Sequence, residues 1–216
     1  MPGARPRAEE FLREQSHLSP DDRGEPRKRH AFIAYLERLP ANSILEQGRR
    51  WFSERWPLSL VGEHILARCA TPEDRTTLEE AGSAALTSKE MYRVCSVVDA
   101  LATIGAAESL PFLAEVYSSA PYSFARRRVV RALLPRAADD VACELLLEAL
   151  WDCEPEAREL ACGAVTLNQL ASAARVAEIA DDEFEESGVR HAAQLARQTP
   201  SCSPELNRTK RRNPTE

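Results

Sequence analysis

A chain of 216 residues with 44% apolar side chains is long enough to bury a sizeable core, as one domain or a short repeat array. Aromatics are only 6% and the apolar share leans on Ala, Leu and Val, which argues for helices and against strands. The formal charge of −6 is uneven: residues 1–30 carry seven Arg/Lys against six Asp/Glu and 200–216 carry four against two, which leaves −9 for the body between them. Such a body disfavours nonspecific binding of nucleic acid and suits a partner with a basic face.

Residues 1–26 mix Pro, Gly and both charges around one short amphipathic stretch at Phe11–Leu12, so they read as a mostly disordered, flexible segment. They lack the apolar core of a secretion signal. No apolar run approaches the roughly 20 residues that span a bilayer, so a cytoplasmic protein without a membrane anchor is expected. From Pro26 the spacing of Phe32, Ile33, Leu36 and Leu39 predicts a helix that Pro40 stops. A second is predicted from Asn42, read as its N-cap, through Ile44, Leu45, Trp51 and Phe52 to about Trp56, before Pro57. These two helices, within 27–57, are expected to cap the remainder of the chain.

Beyond residue 58 the chain repeats every 32 residues. Ala100, Ala132, Ala164 and Ala196 keep that step, as do Ile65, Val97, Val129, Ala161 and Ala193, and also Cys69, Leu101, Leu133 and Val165. Arg126, Arg158 and Arg190 form a further column, with Arg93 one residue off register. Turn and cap signals break each unit into two helices, so the repeat is a helical hairpin. Thr71-Pro72-Glu73-Asp74 reads as a cap followed by a first-turn proline, Thr87-Ser88-Lys89-Glu90 as a capping box, and Ile104-Gly105 as a helix end. Asp139, Glu154-Pro155 and Asn168 read as further helix starts. The expected units are 58–87, 88–119, 120–151 and 152–183, with a closing helix at 184–198 completing the repeat region of 58–199. A flexible basic tail is expected over 200–216.

The stretch from Tyr92-Arg93 through Asp99-Ala100-Leu101-Ala102-Thr103-Ile104-Gly105 to Leu110-Pro111-Phe112-Leu113 resembles the HEAT-like repeat of phycobilin-lyase type. That unit has an early Arg in its first helix, an Ala-Leu-Gly-like turn and an Ile-Pro-x-Leu start to its second. The units at 120–151 and 152–183 depart from it by losing the turn glycine and the proline, though Arg126 and Arg158 fit. The resemblance implies an all-α fold, a short HEAT-like α-solenoid of stacked hairpins, and implies little about function, because such arrays serve as scaffolds, adaptors, lyases and DNA glycosylases. It also implies that second helices line the concave surface.

No constellation of catalytic type stands out. His17, His30, His64 and His191 are far apart, no GxSxG elbow or phosphate-cradling glycine loop occurs, and Cys69, Cys95, Cys143, Cys153, Cys162 and Cys202 contain no CxxC pair. Five of the six cysteines lie inside helical apolar patterns and read as small core residues in a reducing compartment, and no catalytic residue, cofactor or metal is assigned.

The candidates for partner binding are acidic and aromatic. Asp140, Glu144 and Glu148 fall at i, i+4 and i+8 on one helical stripe, and Glu108, Glu115 and Glu178 belong to equivalent second helices. They form either an acidic groove for a basic protein face or a solvated surface. Tyr117, Tyr122 and Trp151 near the turns are candidate anchors, whereas Phe124 is expected to pack in the core. The Arg126-Arg127-Arg128 run, with Arg131 and Arg136, is the one basic cluster of the body and reads either as a grip for a phosphate backbone or, preferred here, as a split set in which the recurrent arginines are structural and the others solvated. The expected function is a non-enzymatic module, an adaptor, scaffold or immunity-type inhibitor, that binds a basic protein. The alternatives are a nucleic-acid-acting protein in the style of the HEAT-like alkyl-DNA glycosylases and a subunit of bilin-lyase kind. The oligomeric state is left open.

Overall fold

The computed structural model describes residues 4–17, 26–105, 107–137, 139–165 and 170–198. Among these the chain is all-helical, without strands, and none of the described helices is long and apolar enough to cross a membrane. It divides into two compact units at Arg136/Ala137, inside the stretch read as one hairpin over 120–151.

The first unit holds α1 (Ala4–Glu14), α2 (Pro26–Glu37), α3 (Ala41–Phe52), α4 (Leu58–Cys69), α5 (Arg75–Ser88), α6 (Met91–Ile104), α7 (Leu110–Ser119) and α8 (Ser123–Leu133). Helix α4 packs on α3 and on α6, and α6 packs on α5 and on α8. The second unit holds α9 (Asp140–Glu148), α10 (Pro155–Ala164), α11 (Leu170–Asp181) and α12 (Ser187–Gln198), with α12 against both α10 and α11.

The 32-residue step has a physical meaning. Ile65, Val97, Val129, Ala161 and Ala193 occupy the same place on α4, α6, α8, α10 and α12, and all five are fully buried. The neighbouring columns are buried in part: Ala100, Ala132, Leu101 and Leu133 are core, while Ala164, Ala196, Cys69 and Val165 are half-buried. The arginine column is structural too. Arg126 donates to the Ala120 carbonyl at 3.3 Å, Arg158 to that of Asp152 at 2.7 Å, and Arg190 to those of Asp182 and Glu183 at 3.2 and 3.0 Å. Each accepting group follows the preceding helix, where carbonyls lack an intrahelical partner. Arg93, off register, donates instead to the Phe52 carbonyl at 3.2 Å.

Several helix boundaries follow their signals. Thr71 and Asp74 form the capping box ahead of α5 with Pro72 in its first turn, Gly105 closes α6 at φ 68°, Asp139 accepts from the Val141 and Ala142 amides, and Pro155 opens α10. Three expectations change. Thr87-Ser88-Lys89-Glu90 is no capping box: Thr87 and Ser88 bond back to the Ser83 and Ala84 carbonyls, α5 runs on through Ser88, and Lys89 ends it in the left-handed conformation. Pro40, one residue before α3, occupies the cap position assigned to Asn42. Residues 4–14, read as part of a disordered segment, form α1. Its Ala8 and Leu12 are fully buried with Ile33, Leu36, Ile44 and Trp51, and Arg13 pairs with Glu54 at 2.9 Å. Four apolar residues among charges, two of them alanines, give a faint signal alone; burying Leu12 is worth about 1.5–3 kcal/mol once α2 and α3 supply a surface. The start at Asn168, the 200–216 tail and Cys202 lie outside the described residues.

Where α3 meets α4 the backbones come into contact. A Cβ on Gly62 would lie 2.7 Å from Phe52 Cα and 2.8 Å from the Gly48 carbonyl oxygen, with no side chain able to yield. Gly62→Ala should therefore cost about 2–3 kcal/mol, read as a lowered urea midpoint; an unchanged midpoint would refute the close approach.

In the second unit Arg158 forks onto Glu185 at 2.9 and 2.6 Å, with both side chains largely buried. That hydrogen bond, against the opposing effect of burial, holds the Glu185 carboxyl below its ordinary value. A pKa lowered by folding gives stability that is complete above the unfolded value, about 4.3. The stability is lost as pH falls through the folded value. Glu185→Gln should flatten the acid-side decline in urea stability, and a decline parallel to the parent's would count against the pair.

Candidate functional site

The structure divides the nine predicted partner residues between the units. Asp140, Glu144 and Glu148 are exposed along α9, as the i, i+4, i+8 spacing requires. A 3-10 turn, Ala149–Trp151, extends the helix and leaves Trp151 56% exposed at its end. The α11 residue Arg175 ties this edge together: its guanidinium lies 5.6 Å from the Trp151 ring centroid, donates to the Leu150 carbonyl at 3.2 Å, and pairs with Glu178 at 3.2 Å. Trp151 and Glu178, 27 positions apart in sequence, are thereby brought to one place. Most of the Glu178 side chain remains open to solvent.

The other four residues lie in the first unit and make no such cluster. Glu108 is exposed and 3.3 Å from Arg75; Glu115 is exposed on α7. Tyr117 is only 5% exposed. Its ring belongs to the core of α7 and is no anchor, because the α7 register that exposes Glu115 turns Val116 and Tyr117 inward. Tyr122, half-buried, contacts the Tyr92 ring edge-on at 5.8 Å and the Phe124 ring at 5.3 Å. Phe124, expected in the core, is 41% exposed, and Tyr92 is 80% exposed. Sequence reasoning passed over Tyr92, although the 32-residue step from Tyr92 to Phe124 was available as a signal.

Beside this row a groove of about 440 Å³ runs between the start of α4 and the start of α6, with Trp56, Leu60, Glu63, Met91, Tyr92 and Arg93 among its walls. Trp51 and Trp56 part company: Trp51 is fully buried, whereas Trp56 is half-buried under the Arg29 guanidinium at 4.7 Å. Burial lifts the Glu63 carboxyl above its ordinary value despite Arg93 at 3.5 Å. Burial likewise lifts Asp99, which the contacting Arg128 offsets only in part. The hydrogen bond that the His64 ring donates to the Glu37 carboxylate raises His64, although the ring is partly desolvated.

Among the described residues no group of three or more His, Cys, Asp or Glu is placed to hold a metal. Cys95 and Cys162 are buried, and burial pushes the Cys162 thiol up to about 11. Cys153, read as core, is exposed in the turn before α10.

The division at Arg136 also divides the charge. Residues 31–136 carry 13 Arg/Lys and 12 Asp/Glu, whereas 137–199 carry four and fourteen. The acidity attributed to the whole body belongs to the second unit. Comparison with protein-family models, curated proteins and solved structures finds no match.

The two aromatic candidates should behave oppositely under mutation. Tyr117→Ala should cost about 3–5 kcal/mol of stability, as for other buried aromatics, while Trp151→Ala should cost under about 1 kcal/mol. Urea unfolding of both variants checks this, and equal losses would contradict the assigned exposures.

Proposed function

We propose that this chain is a short α-solenoid of HEAT-like hairpins acting as a protein-interaction module, and that its second unit holds the basic face of a partner protein. The observation that carries this reading is the acidic surplus of residues 137–199 coinciding with the exposed Asp140–Glu144–Glu148 stripe and Trp151. The 32-residue column of buried residues supports the solenoid, because a repeat that buries the same position on every other helix lets each hairpin rest on the next.

Carboxylates along α9 would set orientation and association rate, since a charged rim steers encounter more than it tightens the complex. Trp151 would supply the anchor. A large ring pinned by Arg175 loses little conformational freedom on docking, which is what makes Trp effective at interfaces. The proposed role is an adaptor, scaffold or inhibitor in which binding itself is the activity.

Affinity purification from the native host with mass spectrometry identifies the partner, and quantitative binding then tests the face. Joint Asp140→Lys, Glu144→Lys and Glu148→Lys substitution should weaken the complex by about tenfold or more at low salt, with the loss shrinking as salt screens the charges. A partner bound equally well by the triple variant at low salt would remove the acidic face from consideration.

A further inference from the structure

The first unit carries a surface that the acidic-face reading does not use. Leu60, Tyr92 and Phe124 are each 32 residues apart, so they mark one repeat position on α4, α6 and α8. On α6 and α8 this position points outward, whereas Leu60 on α4 is half-buried against the core. Tyr92 and Phe124 are both exposed, at 80% and 41%, and Tyr122 bridges them through ring contacts at 5.8 and 5.3 Å. Adjoining exposed apolar rings usually mark a binding surface, because water gains from their cover.

The charge beside these rings is positive. Helix α8 has four arginines and no carboxylate. Phe124, Arg127, Arg128 and Arg131 fall at i, i+3, i+4 and i+7, on one face of α8. The Arg127 guanidinium lies over the Phe124 ring at 4.8 Å, and Arg131 is exposed one turn further on. Of the nearby carboxylates, Asp99 is matched by Arg128 and Glu63 by Arg93, while the exposed Glu90, in the adjoining groove with Lys89, accepts from the Ser88 hydroxyl at 2.9 Å. The first unit as a whole has no acidic surplus, so the objection to nucleic acid drawn from net charge does not apply to it.

Exposed rings flanked by arginines suit single-stranded nucleic acid, whose unpaired bases stack on any aromatic face while the phosphates follow the cations. A duplex keeps its base faces covered. A proline-rich peptide would also favour an aromatic groove, but it has no use for the arginines on the same helix face. We infer that the α6–α8 face of the first unit binds single-stranded nucleic acid without strong sequence preference, with Tyr92 and Phe124 as stacking platforms and Arg127 and Arg131 contacting phosphates.

Fluorescence anisotropy of the full chain with a labelled oligothymidylate tests this at low salt. Saturable binding with a Kd near the micromolar range is expected, and the logarithm of affinity should fall with that of salt at a slope of about −0.7 for each phosphate contacted. Tyr92→Ala with Phe124→Ala should weaken binding by about tenfold or more, whereas Tyr92→Trp with Phe124→Trp should preserve it. Arg131→Gln should reduce the salt slope by about 0.7. Thermal melts show that each variant is folded, and all three sites are surface positions. The inference is overturned by absence of saturable binding, by binding indifferent to the alanine pair in folded protein, or by a duplex or a proline-rich peptide using these aromatics in preference to the oligonucleotide. These variants share no residue with those that test the acidic face, so each reading can fail alone.

Discussion

Burial of one apolar position on every other helix is the constraint on which this architecture depends. Ile65, Val97, Val129, Ala161 and Ala193 are all removed from water, and the residues around them inherit their orientation from that fact. A helix that turns this position inward fixes its whole register, since side chains three and four apart share a face. Exposure of Tyr92 and Phe124 on α6 and α8 follows from that register. The side chains shrink along the column from Ile and Val to Ala. The recurrent arginines secure what the column positions, by tying helix starts to carbonyls left open at the preceding helix end.

The two units use similar hairpins for different electrostatic ends. Near neutrality in 31–136 and a surplus of ten carboxylates in 137–199 mean that a single net charge describes neither. Charge acts over about a Debye length, roughly 8–10 Å, so a ligand meets the local surface rather than the formal total. An acidic edge with a pinned tryptophan and an arginine-flanked aromatic row are accordingly different surfaces on one chain. Neither needs a chemical step to be useful. Internal pairs such as Arg158 with Glu185 and Arg49 with Asp74 serve packing instead: the Arg49 fork reaches Asp74 at 2.7 and 3.2 Å and pins α3 to the start of α5.

Much of the fold was legible because repetition multiplies a weak signal. One alanine at one position says little; the same position apolar on five helices, over four successive steps, defines both the helix and its inner face. Gly105, Asp139 and Pro155 were readable for a local reason, since turn and cap geometry depends on the residue and its immediate neighbours. The failures were cases where a neighbour distant in sequence decides. Helix α1 depends on a surface made by α2 and α3, and Thr87-Ser88 had two local options, capping forward or bonding back, of which the second prevails while α5 continues.

The sequence by itself determined the helical class, the 32-residue step, the structural role of Arg126, Arg158 and Arg190, and the exposure of Asp140, Glu144 and Glu148, because each follows from spacing along one helix or from recurrence. Only the tertiary structure decided that Tyr117 is core and Phe124 surface, that Arg175 joins Trp151 to Glu178, and that Trp56 faces a groove while Trp51 does not. An aromatic side chain carries no local mark of its destination, since it is equally suited to a core and an interface. Which it enters is settled by the helices packed beside it.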